Sequence, residues 1–275
     1  MSVSSAELQP DLKDGSLVAL RVTVDTTQTE TPEHTHESGQ LILALKGAVT
    51  CKVPGYIWIV PPGCAIWIPS GIRHSSRMTV NASVCFVFLK REVARLPEHP
   101  CTIEISPMVR EMILHLAATE KTPSLVDHNQ LQLKQVLVGQ LEIMPITTFR
   151  LPIPTSPKLK IIMDALVINP AERNTLSDWA SRVAMSERTL ARLIMRETGM
   201  TFGRWRQQLH LLFAMRFLAE GASVQNVSES LGYCSVTAFI TMFKKALGTT
   251  PSRYLGASGR RKHHVQHSLP QPSPR

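Results

Sequence analysis

The chain has 275 residues, 43% of them hydrophobic, and a formal net charge of +9, which is room for two domains of ordinary size. No apolar run is long enough to cross a bilayer and no basic-then-apolar leader opens the chain, so neither a membrane-spanning nor a secreted protein is expected. Five cysteines without a Cys-x-x-Cys pair argue against a disulfide frame or a zinc ribbon and predict a cytoplasmic protein with free thiols.

The charge is segregated. Residues 1–156 hold 13 Lys/Arg against 14 Asp/Glu, whereas residues 157–275 hold 17 against 7. A basic C-terminal half is the electrostatic footprint of a protein that meets a polyanion.

Residues 1–16 carry no pattern and are expected to fray. Strands are then predicted at Leu17–Val24, Gln40–Cys51, Tyr56–Val60, Ala65–Pro69 and Ala82–Leu89, parted by Pro54-Gly55, Pro61-Pro62-Gly63 and Ser70-Gly71. Short strands with this punctuation suggest a β-sandwich or barrel, and a closed barrel can hold a ligand. His34, His36 and Gln40 share parity, so on a continuous strand they face one side. His74 could close the cluster from the opposite segment. Three imidazoles suit Zn, Fe, Ni or Cu, while a neutral amide is a poor ligand beside a carboxylate. The same histidines could instead line a cavity or hydrogen-bond loops. Tyr56 and Trp58 alternate onto one face, and with Trp67 they are candidates to stack on a planar effector, or simply to fill the core.

Two of these segments, His34-x-His36-x3-Gln40 and Gly63-x5-Pro69-x-Gly71-x2-His74, resemble the signature segments of the cupin barrel over about residues 25–90. In that family two His and a Glu from the first segment and one His from the second hold a metal. Here Gln40 stands at the Glu position, and Met78 where Asn is frequent. The resemblance implies a cupin-like effector-sensing domain over residues 15–95, with a possible divalent metal at His34, His36, Gln40 and His74.

Ser106-Pro107 starts a helix, Met108–Ala118, and a second is predicted from about Ser124 to Met144, with Leu133, Val136, Leu137, Leu141 and Met144 at helical spacing. Residues 102–145 thus form a helical linker, and a homodimer built on it is expected, symmetric dimers being the commonest assembly. The run Leu151-Pro-Ile-Pro-Thr-Ser-Pro157 reads as a semi-rigid spacer and the domain boundary.

From Pro157 the pattern is helical. Thr175 and Asp178 have capping-box spacing, Ser186 caps the next helix and Gly199 ends it. The unit recurs 49 residues on: Ser186 falls on Ser235, Leu190 on Phe239, Gly199 on Gly248 and Trp205 on Tyr254. Each unit reads as two helices about a tight turn, the helix-turn-helix whose second helix enters the major groove. Two in series, the second ending Phe243-Lys-Lys-x-x-Gly-x-Thr-Pro251, resemble the AraC/XylS transcription regulators over about residues 157–256. That resemblance implies two helix-turn-helix units bridged by one long helix, here Gly203–Glu220. Phe202 stands where the family has Pro, Ser228 where Ala is common, and Thr241 where Arg is common.

The outward residues early on each second helix are the candidate base readers: Ser186, Glu187, Arg188, Thr189 and Arg192, then Ser235, Val236, Thr237, Ile240 and Thr241. Arg196, Arg204, Arg206, Lys244, Lys245 and Arg253 are candidates for phosphates. Residues 257–275 read as a disordered basic tail. The fold class is α+β: a cupin-like β-barrel, two linker helices and an all-α double helix-turn-helix domain. The expected function is a sequence-specific regulator that binds an operator, answers a small-molecule effector and controls a nearby transporter, efflux or metabolic gene. It is not expected to be an enzyme. The alternative is a metal-dependent cupin enzyme with a helical appendage, which lacks the carboxylate ligand.

Overall fold

A computed structural model describes residues 17–24, 29–60, 64–80, 82–119, 128–147 and 150–254. The N-terminal half holds β1 (Leu17–Thr23), β2 (Thr29–His34), β3 (Gly39–Lys46), β4 (Val49–Val53), β5 (Tyr56–Val60), β6 (Cys64–Ile68), β7 (His74–Met78), β8 (Ser83–Leu89) and β9 (Cys101–Glu104). Next come α1 (Pro107–Thr119), α2 (His128–Glu142) and two short strands, β10 (Ile146–Thr147) and β11 (Leu151–Pro152). The C-terminal half is α3 (Pro157–Ile168), α4 (Leu176–Arg182), α5 (Glu187–Thr198), α6 (Phe202–Ala219), α7 (Val224–Ser230) and α8 (Val236–Leu247). The predicted fraying end, the turn at residues 61–63, the helix start at Ser124 and the basic tail lie outside the described residues.

The strands form two antiparallel sheets, ordered β1-β8-β3-β6-β9-β10 and β11-β5-β4-β7-β2. They face each other as a jelly-roll-like sandwich, the first of the two expected forms, with the sheets not closed into one barrel. Between them lies an apolar interior containing Ile42, Val49, Cys51, Trp58, Ile66, Met78, Phe86 and Phe88. The outer face of the first sheet carries a second core, where Leu41, Trp67, Val87 and Ile103 meet Val109, Ile113, Leu137 and Leu141 of α1 and α2. Hence β8 is buried along its whole length, as a strand covered on both faces must be.

Several elements differ from expectation, among them the following. The single strand Gln40–Cys51 breaks at Gly47, whose φ is +73° and whose missing side chain leaves room for Thr79 and Ala82. Strands β2 and β7 were not legible: Thr-Glu-Thr-Pro-Glu-His and His-Ser-Ser-Arg-Met are polar runs that become strands because β7 pairs with β4 and β2 pairs with β7. The supposed spacer is not free. Leu151 is fully buried and pairs with Ile57 as β11, at the edge of the second sheet, where proline's missing N–H does no harm.

The C-terminal helices follow the caps read in the sequence. Thr175 and Asp178 exchange side-chain and backbone bonds as a capping box. Ser186 and Ser235 each accept the backbone N–H three residues on, and so do Thr201 and Ser223, two caps that were not read in the sequence. Gly199 and Gly248 end α5 and α8 in the left-handed conformation. Phe202, in the position that suits proline, is buried instead. Helix α6 buries residues on nearly every side, Leu209 through Met215 and Leu218. The reason is position: it joins both helix-turn-helix units and lies against β5 and β11. One core therefore runs from Ala48, Ile59 and Leu151 into α3–α8.

Candidate functional site

In α5, Leu190 and Ile194 are buried, while Ser186, Glu187, Arg188, Thr189, Arg192 and Arg196 are exposed. The Thr189 hydroxyl lies 2.8 Å from the Ser186 hydroxyl, so both belong to the cap as well as to the outward face. In α8, Phe239, Met242 and Phe243 are buried, and Ser235, Thr237, Thr241, Lys244 and Lys245 are exposed. Val236 and Ile240 are half-buried, and Ile240 packs on the core, so they turn inward more than a base-reading role asks. Arg204 and Arg253 are exposed. Arg206 is half-buried; its guanidinium donates to the Asn174 carbonyl at 3.2 Å and lies over the Phe202 ring. Its charge serves the bridge helix first.

The two units are not identical in their turns. Ala184 (φ +50°) takes the left-handed position two residues before Ser186, whereas Gly232 (φ +71°) takes it three residues before Ser235. The second turn is one residue longer. Gly232 is also held close: a Cβ there would stand 2.7 Å from the Ala171 carbonyl oxygen. Ser228, in place of the common Ala, donates to the Ser235 carbonyl at 3.3 Å and ties α7 to the start of α8.

In the jelly roll, His34, His36 and His74 come together with ligand-capable atoms within 4.8 Å of one another. His34 Nδ1 lies 2.6 Å from the Pro32 carbonyl oxygen and His74 Nδ1 2.9 Å from that of Ile72. Each contact puts the proton on Nδ1 and leaves Nε2 with a free lone pair. His34 Nε2 is 3.1 Å from His36 Nε2. Gln40 is buried with its side-chain oxygen 2.9 Å from His74 Nε2. Against that lone pair the amide fits with its nitrogen turned inward as donor. Burial, aided by the charges of His74 and His34, pushes His36 down to about 4. Burial likewise pushes His74 down to about 4, opposed by the bond to the Ile72 carbonyl and aided by the charge of His34. Three clustered imidazoles, two of them (His34 and His74) with the far nitrogen fixed by a backbone carbonyl, fit the donor set of a divalent metal.

The three predicted aromatics do not line one cavity. Trp58 is buried in the sandwich interior beside half-buried Tyr56, ring centroids 5.6 Å apart. Trp67 faces the opposite way, into the helix-covered core, and donates to the Pro97 carbonyl. Strand parity alone did not say which face of β6 looked inward. What the sequence did not reveal is a polar row. Trp58, Cys51, Ser76 and Thr31 stand opposite one another across β5, β4, β7 and β2, and Trp58 Nε1 and Thr31 Oγ1 are buried without a hydrogen-bond partner.

Comparison with known proteins agrees with this geometry. Residues 179–257 match a helix-turn-helix domain family and residues 20–89 a cupin domain family. The HTH-type transcriptional regulator NimR of Escherichia coli K12 is 44% identical over 247 residues, 90% of each chain. The HTH-type transcriptional activator RhaS of Yersinia pestis is 24% identical over 259 residues, 88% of this chain and 95% of its own. Among solved structures, ToxT of Vibrio cholerae O395 aligns over 88% of this chain and 98% of its own at 10% identity, with a TM-score of 0.37. No described helix is long and apolar enough to cross a membrane. With a cupin domain ahead of two helix-turn-helix units, the chain belongs to the AraC-type transcriptional regulators.

Proposed function

We propose that this regulator reads its operator mainly through α5, uses α8 for methyl and phosphate contacts, and is governed by a small molecule in the jelly roll. The observation that carries the reading is the contrast between the two second helices: α5 exposes Arg188 and Arg192 one turn apart, where α8 exposes Thr237 and Thr241. Arginine bonds guanine bidentately, whereas threonine offers a hydroxyl and a methyl. Two such helices on the rigid α6 suit major-groove segments about 34 Å apart. Arg196, Arg204, Lys244, Lys245 and Arg253 supply phosphate contacts, which orient the protein without reading sequence. Arg192→Ala should cost ~1–3 kcal/mol and relax preference at one base pair. Lys244→Ala should weaken all sequences alike and shallow the salt dependence. If both variants behave identically on operator and random DNA, the division of labour is wrong.

Effector binding inside the sandwich is supported by the two unpartnered polar atoms, Trp58 Nε1 and Thr31 Oγ1. A ligand that accepts from the indole and bonds the hydroxyl would relieve both. A divalent metal would be held by His34, His36 and His74, taking the His74 Nε2 lone pair that Gln40 now faces, and would supply a Lewis-acidic anchor for such a ligand. Melting the full chain against a metabolite panel tests this. The homodimer is supported by apolar side chains left exposed on and around the two linker helices, Met108, Leu131, Val136 and Ile143. The targets fit a nearby transporter, efflux or metabolic gene, switched on or off from the cytoplasm, and the protein acts by binding rather than by catalysis.

A further inference from the structure

The segment joining the two halves is fastened alternately to each. The Arg150 guanidinium lies 4.0 Å from the centroid of the Tyr56 ring, and the Arg150 carbonyl accepts from Gln208 of α6 at 3.4 Å. Leu151 pairs with Ile57 of β5. The Pro152 carbonyl accepts from Trp205 of α6 at 3.2 Å, and the Ile153 N–H donates to the Gly55 carbonyl at 2.8 Å. The last fastening reaches a recognition helix. Glu197, near the end of α5, takes on Oε2 the backbone N–H of Thr155 at 2.8 Å and of Ser156 at 3.0 Å, with the Thr155 hydroxyl at 3.3 Å. Strand β5 is the other end of this strap, with Trp58 turned into the sandwich interior and Ile59 into the core shared with α3–α8.

The repeat says what Glu197 is not for. At the offset of 49 its counterpart is Ala246, exposed on α8. A helix-turn-helix of this kind is therefore complete without the carboxylate, and the one unit that carries it is the unit the strap touches. Glu197 also lies on the side of α5 away from Arg188 and Arg192, so it does not meet DNA itself.

We infer that Glu197 is a positioning residue for operator recognition: it fixes α5 to the strap of residues 150–156, so that the pose of the first recognition helix follows how the strap lies on β5. This rests on α5 being a base-reading helix. A carboxylate accepting two backbone N–H groups makes strong, directional bonds, and α3 begins where those bonds end, with Ser156 as its N-cap.

The test uses the full chain and the genomic fragment it enriches most, with footprinting of both half-sites, random DNA as control, and amide exchange at Thr155 and Ser156. Glu197→Ala should weaken binding to the fragment on the order of tenfold, lose protection over the α5 half-site only, and speed exchange at both amides. Affinity for random DNA and protection by α8 should stay. Glu197→Gln, whose carbonyl still accepts, should recover part of the loss and provides a milder variant should alanine unfold the chain. Wild-type footprints in both variants would overturn the inference. So would loss of both half-sites and of random DNA in step with a lower melting temperature, which would mark Glu197 as a cap for α3 alone. Arg192→Ala in the same series reports on the underlying reading: if it leaves the fragment's affinity unchanged, α5 does not read bases, whatever Glu197 does.

Discussion

The indole Nε1 of Trp205 donates to the carbonyl of Pro152 at 3.2 Å, joining the first turn of the bridge helix to the strap from the jelly roll. Trp205 is 1% exposed, so the carbonyl it serves has little water to turn to. Trp205→Phe keeps most of the ring and removes the donor. Stability to urea should fall by about 1–3 kcal/mol, the cost of an unsatisfied buried acceptor plus a small void. A loss below ~0.5 kcal/mol would mean that the strap is not tightly held there.

Ala184 bears a side chain at φ +50° in the first turn, where the second turn uses Gly232. Left-handed backbone costs an L-residue roughly 1 kcal/mol, partly offset by glycine's freedom when unfolded. Ala184→Gly should therefore stabilise the chain by ~0.5 kcal/mol without changing DNA affinity. Destabilisation would show that the Ala184 methyl is held by contacts worth more than the strain.

His210 is buried on α6, with Nδ1 3.3 Å from the Tyr233 hydroxyl. Burial and the Arg206 charge push it down to about 4 from 6.5, against the pull of the Pro170 carbonyl. Tyr233, raised by burial to about 12, stays a phenol able to donate. Between 6.5 and 4 the unfolded chain binds this proton and the folded chain does not. The stability His210 lends as a neutral ring is thus whole above 6.5 and is lost as pH falls, by up to ~1.4 kcal/mol per pH unit. Melting from pH 7 to 4 should lose one proton's worth of slope in His210→Asn. An unchanged slope would place the proton uptake elsewhere.

The caps and the doubled unit were legible because they are local. Thr175, Ser186, Gly199 and Gly248 act on backbone within a few residues, and the offset of 49 needs only the chain itself. The histidine cluster was legible in part: parity grouped His34 with His36, and pairing of β2 with β7 brings His34 opposite His74. What depends on distant partners was not. Polar β7 is a strand through β4 and β2, and polar β2 through β7, Trp67 faces the helices rather than the interior, and proline-rich Leu151–Pro152 is a strand because β5 offers it an edge. Glu197 read as one more helix residue, although comparison with Ala246 held the signal.

Protein purified without an affinity tag should carry one divalent metal per chain at the three imidazoles, and His74→Ala should release it. His74 is the histidine to change because it is held by the Ile72 carbonyl and faces Gln40. Substoichiometric metal that His74→Ala leaves untouched would remove metal from the account.

The most direct measurement is the ratio of affinities of the full chain for its best genomic fragment and for a scrambled fragment of the same composition, across a salt series. A double helix-turn-helix regulator should bind the former on the order of 10³-fold or more tightly, with both affinities falling linearly in log salt. Equal affinities at every salt concentration would contradict sequence-specific recognition.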